Sequence, residues 1–190
     1  SVQNKIVQAI EVHQKMLHNI ELLEKIENLA LTAVQILKNG GRILLCGNGG
    51  SAADAQHIAA ELSGRFSFDR APLDAEALHC NTSYLTAVAN DYSFDMVYGR
   101  LVEAKGRSGD MLIAISTSGN SMNIINAIES AKQKKMYVAG LTGENAGKMT
   151  KICDALINIP CKNTPIIQQL HVLVGHILCE KIENEIFKKA

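Results

Sequence analysis

From residue 2 to residue 38, apolar side chains recur at the three- and four-residue spacing of a helix stripe: Ile6, Ile10, Met16, Ile20, Leu23, Ile26, Leu29, Leu31, Val34 and Leu37. Gly40-Gly41 ends the run, which predicts one bent helix or two successive ones. From Arg42 onward the pattern changes. Short apolar runs at 42–46, 75–79, 111–115, 136–141 and 155–159 alternate with helical segments, the signature of a parallel sheet covered by helices on both faces. The last segment, read with Thr164 as N-cap and Pro165 at the first helical position, runs to about Phe187 and is apolar almost all round, so it is expected to be buried, even between subunits. No repeat, low-complexity tract or linker divides the chain. The expectation is a single α/β domain over 1–190, with N-terminal helices in 1–40 and a doubly wound, five-stranded parallel sheet with the final helix in 41–190.

Composition narrows the class. Of 190 residues 47% are apolar, enough for a sizeable core, and 19 basic side chains balance 19 acidic ones. Zero formal net charge without a long basic run argues against nucleic acid or an anionic membrane surface as the main partner. Neither a signal-peptide pattern nor a bilayer-length apolar stretch occurs, which places the expected compartment in the cytoplasm. Cys46, Cys80, Cys153, Cys161 and Cys179 form no C-x-x-C pair and read as reduced, buried thiols.

Two of the apolar runs end in small polar turns that precede a helix. Gly47-Asn48-Gly49-Gly50-Ser51 follows the first run and Ser116-Thr117-Ser118-Gly119-Asn120-Ser121 follows the third. Such a turn aims backbone N–H groups and hydroxyls at a helix N-terminus, where the dipole favours an anion, and phosphate is the obvious guest. Two cradles in one domain suggest a phosphorylated small molecule gripped from both sides. Gly47, Gly49 and Ala52 also satisfy G-x-G-x-x-A, but a dinucleotide site wants an acid at the far end of the second strand, and Glu76 stands at its start.

The helix after the first cradle carries His57 and Glu61 at i,i+4, on one face. Gln168 and His176 on the last helix differ by about 80° around its axis, so they too can share a face. Two imidazoles, a carboxylate and an amide oxygen make a four-ligand set for a divalent metal, with zinc favoured by the imidazoles. His171, at i+3 from Gln168, is a further candidate that spacing alone does not exclude.

The stretch CGNGGSAADAQHIAAELSGR from Cys46 to Arg65, with Ala89-Asn90-Asp91, residues 115–121 and residues 168–176, resembles the phosphoheptose isomerase family of sugar isomerase (SIS) domains. The resemblance runs from Gln14 to Phe187 and implies a flavodoxin-like fold, a zinc-binding homotetramer with one zinc per subunit, and active sites between subunits. It implies conversion of a phosphorylated seven-carbon sugar, sedoheptulose 7-phosphate, to D-glycero-D-manno-heptose 7-phosphate for bacterial heptose in lipopolysaccharide, capsule or S-layer. By position, the family's metal ligands fall on His57, Glu61, Gln168 and His176. Its sugar-phosphate contacts fall on Asn48, Gly49, Gly50, Ser51, Asn90, Asp91, Ser116, Thr117, Ser118 and Ser121, and Glu61 and Gln168 also face substrate. The chain departs from the family's usual Arg-Ile-Gln-Glu around Gln168, where it has Ile166-Ile167-Gln168-Gln169, and segment 66–75 is individual.

An aldose–ketose isomerisation moves a proton between C1 and C2, so it needs a carbon base, a group for the oxygen protons and stabilisation of the developing oxyanion. Glu61 is assigned as the base, and the resemblance makes His176 its acid/base partner and zinc the Lewis acid. Arg65, one turn past Glu61, is read as a substrate contact or a partner of that carboxylate, with a surface ion pair as the alternative. Three other functions fit the cradles: a tetramer that binds a replication-initiator partner, which typically lacks the glutamate and final histidine; a sugar-phosphate sensor without metal; and an isomerase of another phosphosugar.

Overall fold

The computed structural model describes residues 1–188. The helical N-terminus is two helices, α1 (Val2–Leu17) and α2 (Ile20–Lys38), because Asn19 starts a new helix by accepting the N–H of Leu22 at 3.1 Å. Five strands follow: β1 (Ile43–Gly47), β2 (Ala75–Ala77), β3 (Met111–Ile115), β4 (Tyr137–Thr142) and β5 (Ala155–Asn158). They pair in the order β2-β1-β3-β4-β5, every pair parallel. The connecting helices are α3 (Gly50–Ser63), α4 (Thr82–Asp91), α5 (Val97–Lys105) and α6 (Met122–Gln133), and α7 (Thr164–Phe187) closes the fold.

The strands read as unbroken apolar runs because both faces are covered. Ile43 and Leu45 of β1 join the core under α2, α3 and α7, while Leu44 and Cys46 join the core under α5 and α6. The expected strand ends shift by one or two residues. At the edge, β2 stops at Ala77, two residues short of the expected end, as its register with β1 runs only from Ala75 to Ala77.

Three expectations are corrected. The cap of α7 is Asn163, whose carbonyl accepts the N–H of Ile167 at 2.9 Å and so closes the first turn; Thr164 is already helical. The same helix is less uniformly apolar in its setting than expected, since His171 and Glu183 are wholly buried while Gln169 and Leu173 face outward. All five cysteines are free, but only Cys46 and Cys179 are buried, and Cys80 is exposed.

Candidate active site

β1 and β3 are adjacent, and their chains leave in opposite directions, to β2 on one side and to β4 on the other. Ligands of open α/β sheets bind in the crevice at such a switch point, beyond the carboxyl ends of the strands. Both cradles open there, one after β1 and the other after β3. Helices α3 and α6 have no side-chain N-cap; the N–H groups of Ser51, Ala52 and Ile124 turn back to backbone carbonyls, and each helix directs its positive dipole end at the crevice.

The first cradle is braced by its neighbours. Tyr98 donates its hydroxyl to the carbonyl of Gly47, and the side-chain amides of Asn48 and Asn123 bond reciprocally at 2.9 and 2.8 Å. Ser51 is buried. Gln168 of α7 lies over Gly50, where a Cβ would stand 2.5 Å from its amide nitrogen, so glycine is what admits that side chain to the start of α3.

About two and three turns into α3 stand His57 and Glu61, with His57 Nε2 3.2 Å from Glu61 Oε1. His176 of α7 meets them: its Nε2 lies 3.3 Å from His57 Nε2, with the two rings edge to face at 4.9 Å. One donor atom from each of the three residues lies within 4.8 Å of the others. The two separations from His57, 3.2 and 3.3 Å, are close to the edge of a tetrahedron built on zinc–nitrogen bonds, about 3.3 Å. Two imidazole nitrogens and a carboxylate oxygen converging in this way form a donor set that could hold a divalent metal. Asp54, one turn before His57, is buried with Oδ2 unpartnered among the described residues; burial pushes its carboxyl up to about 6, against a smaller opposing pull from His57.

The second cradle presents hydroxyls that bond only weakly to one another: Ser116 Oγ is 3.2 Å from Ser121 Oγ and 3.5 Å from Ser118 Oγ. Gly119 turns the chain at φ +66° so close to Ala146 that a Cβ would meet its carbonyl oxygen at 1.9 Å. Thr117 and Ser118 line a cavity of about 350 Å³ with Glu144, Lys162 and Ile167. Larger hollows of about 690 and 670 Å³ lie elsewhere, at the amino ends of the strands and along α1, and the triad lines neither.

Not every expected residue joins this gathering. His171 is wholly buried on the core side of α7, its Nε2 3.1 Å from the carbonyl of Thr142, and burial drives its pKa down to about 4; spacing could not separate it from His176, but packing does. Arg65 is not one helical turn beyond Glu61, because α3 ends at Ser63 and Gly64 breaks the helix; Arg65 is exposed and forms no ion pair among the described residues. Asn90 and Asp91 end α4 at the surface, Asn90 donating to Asp91 at 2.9 Å. Sequence reasoning missed Asn123, Tyr98 and Asp54, whose only local signal is a polar group inside an apolar stretch.

Comparison with known proteins decides the family. The SIS domain matches residues 9–143. The phosphoheptose isomerase of Aneurinibacillus thermoaerophilus is 49% identical over 187 residues, covering 98% of this chain and 94% of its own. That of Rhodospirillum rubrum is 57% identical over 148 residues, covering 78% of this chain and 79% of its own. The chain belongs to the phosphoheptose isomerase family. The solved phosphoheptose isomerase of Neisseria gonorrhoeae superposes with a TM-score of 0.90 at 43% identity, covering 96% of this chain and 97% of that one. A phosphoheptose isomerase fold therefore accounts for the five-stranded sheet, both N-terminal helices and α7 together, and the chain is an isomerase.

Proposed function

We propose that the chain interconverts sedoheptulose 7-phosphate and D-glycero-D-manno-heptose 7-phosphate, supplying heptose for a bacterial surface polysaccharide such as lipopolysaccharide, capsule or S-layer. The observation that carries this reading is the convergence within 4.8 Å of His57 and Glu61, on a helix that starts at one anion cradle, with His176 of α7. Ser116, Thr117, Ser118 and Ser121 with the N-terminus of α6 hold the phosphate, while the turn Asn48, Gly49, Gly50 and Ser51, with Asn90, Asp91 and Arg65, contacts the sugar. Their work is positioning. Glu61 carries the proton between C1 and C2, and His176 serves the oxygens. His57, Glu61, Gln168 and His176 hold one zinc per subunit, which when bound polarises the carbonyl and hydroxyl pair as a Lewis acid.

Residues 1–40 and 41–190 act as one domain, a reading supported by α2 side chains such as Leu29 and Val34 sharing a core with β1 and α7. The exposed stripe of Val2, Ile6 and Ile10 on α1 supports assembly into a homotetramer. No described helix is long and apolar enough to cross a membrane. A cytoplasmic enzyme with no nucleic-acid or membrane partner is the corresponding proposal. Incubation of the zinc-loaded protein with sedoheptulose 7-phosphate should yield the aldoheptose phosphate, with the unphosphorylated ketose far slower because remote phosphate binding serves the reacting centre. No turnover of the phosphorylated ketose overturns the proposal.

A further inference from the structure

Between α3 and β2 the chain makes a short strap, residues 64–74, that no secondary structure supports. It is nonetheless tied down by two charged side chains that are 2% and 1% exposed, Arg70 on the strap and Glu183 on α7. Glu183 Oε1 accepts the N–H of Phe66 and the Nε–H of Arg70, both at 2.9 Å, and Oε2 accepts the N–H of Ser67 at 2.7 Å. Arg70 Nη1 donates to the carbonyls of Leu62, Gly64 and Ala71 at 2.8, 3.0 and 3.0 Å, and Nη2 donates to the carbonyl of Glu61 at 2.8 Å. The guanidinium thus caps the open carbonyls at the end of α3, a helix with no basic residue in its last turn.

Two consequences reach the reacting groups. The backbone of Glu61 is bonded directly to Arg70, so the segment bearing the proposed base is tethered to a buried ion pair. Glu183 lies seven residues beyond His176 on α7, about 20° from it around the axis, so both look onto the strap. There Phe66, held by Glu183 through its N–H, sets its ring 5.6 Å from the imidazole of His176. Burial alone would raise the Glu183 pKa, but the hydrogen bonds from Ser67, Phe66 and Arg70 and the charge of Arg70 outweigh it and hold the group ionised below the ordinary carboxylate range.

We infer that the Arg70–Glu183 pair and Phe66 form a positioning clamp that holds Glu61 and His176 in the geometry the isomerisation needs, a role that rests on the proposed function of that site. Lysine cannot take Arg70's place, because three donors radiating from one nitrogen do not span four carbonyls and a carboxylate.

The test compares Arg70→Lys and Phe66→Leu with the native protein, in zinc-loaded form for kinetics and metal-free for NMR. Both variants should lower kcat by about tenfold to a hundredfold with KM within about threefold, the size of loss that follows a displacement of about 1 Å. The ring proton resonances of His176, assigned by their loss in His176→Gln, should shift in both as the aromatic ring leaves or moves. Unchanged kcat and unchanged His176 resonances in a folded variant, whatever its melting temperature, overturn the clamp. Should Arg70→Lys fail to fold, Phe66→Leu, which strands no buried charge, decides the matter by the same two readouts. Absence of turnover by the native protein overturns the proposed function on which the clamp rests, whereas turnover by the native protein with unchanged kcat in both variants overturns the clamp alone.

Discussion

The two cradles are written in nearly the same way, an apolar strand followed by a turn of glycine, serine and asparagine and then a helix, yet the fold uses them differently. In the first, the turn is spent on internal contacts: Tyr98 holds Gly47, Asn123 holds Asn48, and Gln168 covers Gly50. In the second, the hydroxyls of Ser116 and Ser121 lie 3.2 Å apart, Ser118 Oγ accepts the N–H of Asn120 at 3.2 Å and keeps its own O–H, and the helix they precede has no side-chain cap. The first turn is therefore a rigid mount for α3 that meets the sugar from a braced position, while the second keeps its hydroxyls for the phosphate. A shared motif marks where a ligand lies; the partners of its polar atoms decide which side does chemistry and which side binds.

The sharpest way to break that distinction is to remove one group from each side. Glu61→Gln, on the helix of the first cradle, should lower kcat by about 10²–10⁴-fold with little change in KM. Ser118→Ala, in the second cradle, should raise KM by about tenfold and leave kcat within about twofold, as expected for one hydrogen bond to an anionic phosphate. Steady-state kinetics on both variants checks the assignment, and equal mild effects would erase the difference between the cradles.

A smaller effect tests the internal brace. Asn48→Ala leaves the Asn123 amide without its partner and should cost ~1–3 kcal/mol, whereas adding Asn123→Ala should cost less than the sum of the two single changes. Denaturant melts of the four-member cycle read this directly. If Asn48→Ala instead leaves stability untouched, the Asn48–Asn123 pair is no brace and Asn48 serves the sugar alone.

How much of this was legible along the chain depends on range. Both turns were, because apolar run, small polar turn and helix lie within about a dozen residues and each step is local. So was the His57 and Glu61 face, which needs only helical spacing. Their meeting with His176 was reached through family likeness, since His171 and His176 on the same helix are separated by burial rather than by pattern. The Asn48–Asn123 pair spans 75 positions and Arg70–Glu183 spans 113, and no periodicity connects such residues. Arg65 shows the opposite failure, in which helical spacing was extended past a glycine that ends the helix.

A pH-dependent effect comes from the floor of the second cradle. His171 bonds the carbonyl of Thr142 at the end of β4, and its pKa is held down to about 4, below the ordinary 6.5. Below about pH 6.5 the unfolded chain takes up a proton there that the folded chain refuses, so stability should fall as pH drops from about 6.5 to about 4 and be unaffected above that window. His171→Leu should flatten this part of the stability profile without changing metal content. Thermal melts from pH 8 to pH 4, with metal analysis, check both statements.

Helix α7 places Gln168 on the first cradle, His171 beneath the second, His176 in the triad and Glu183 in the strap. Over its 24 residues, about 36 Å of unbroken backbone, these four act as teeth on one bar. Any slide or roll of that bar must move all four engagements together, so the site has few soft ways to lose one and keep the others. Evolution of a different sugar preference in such a frame is therefore expected to proceed through loop side chains that rest on the bar's neighbours rather than through changes along the bar itself.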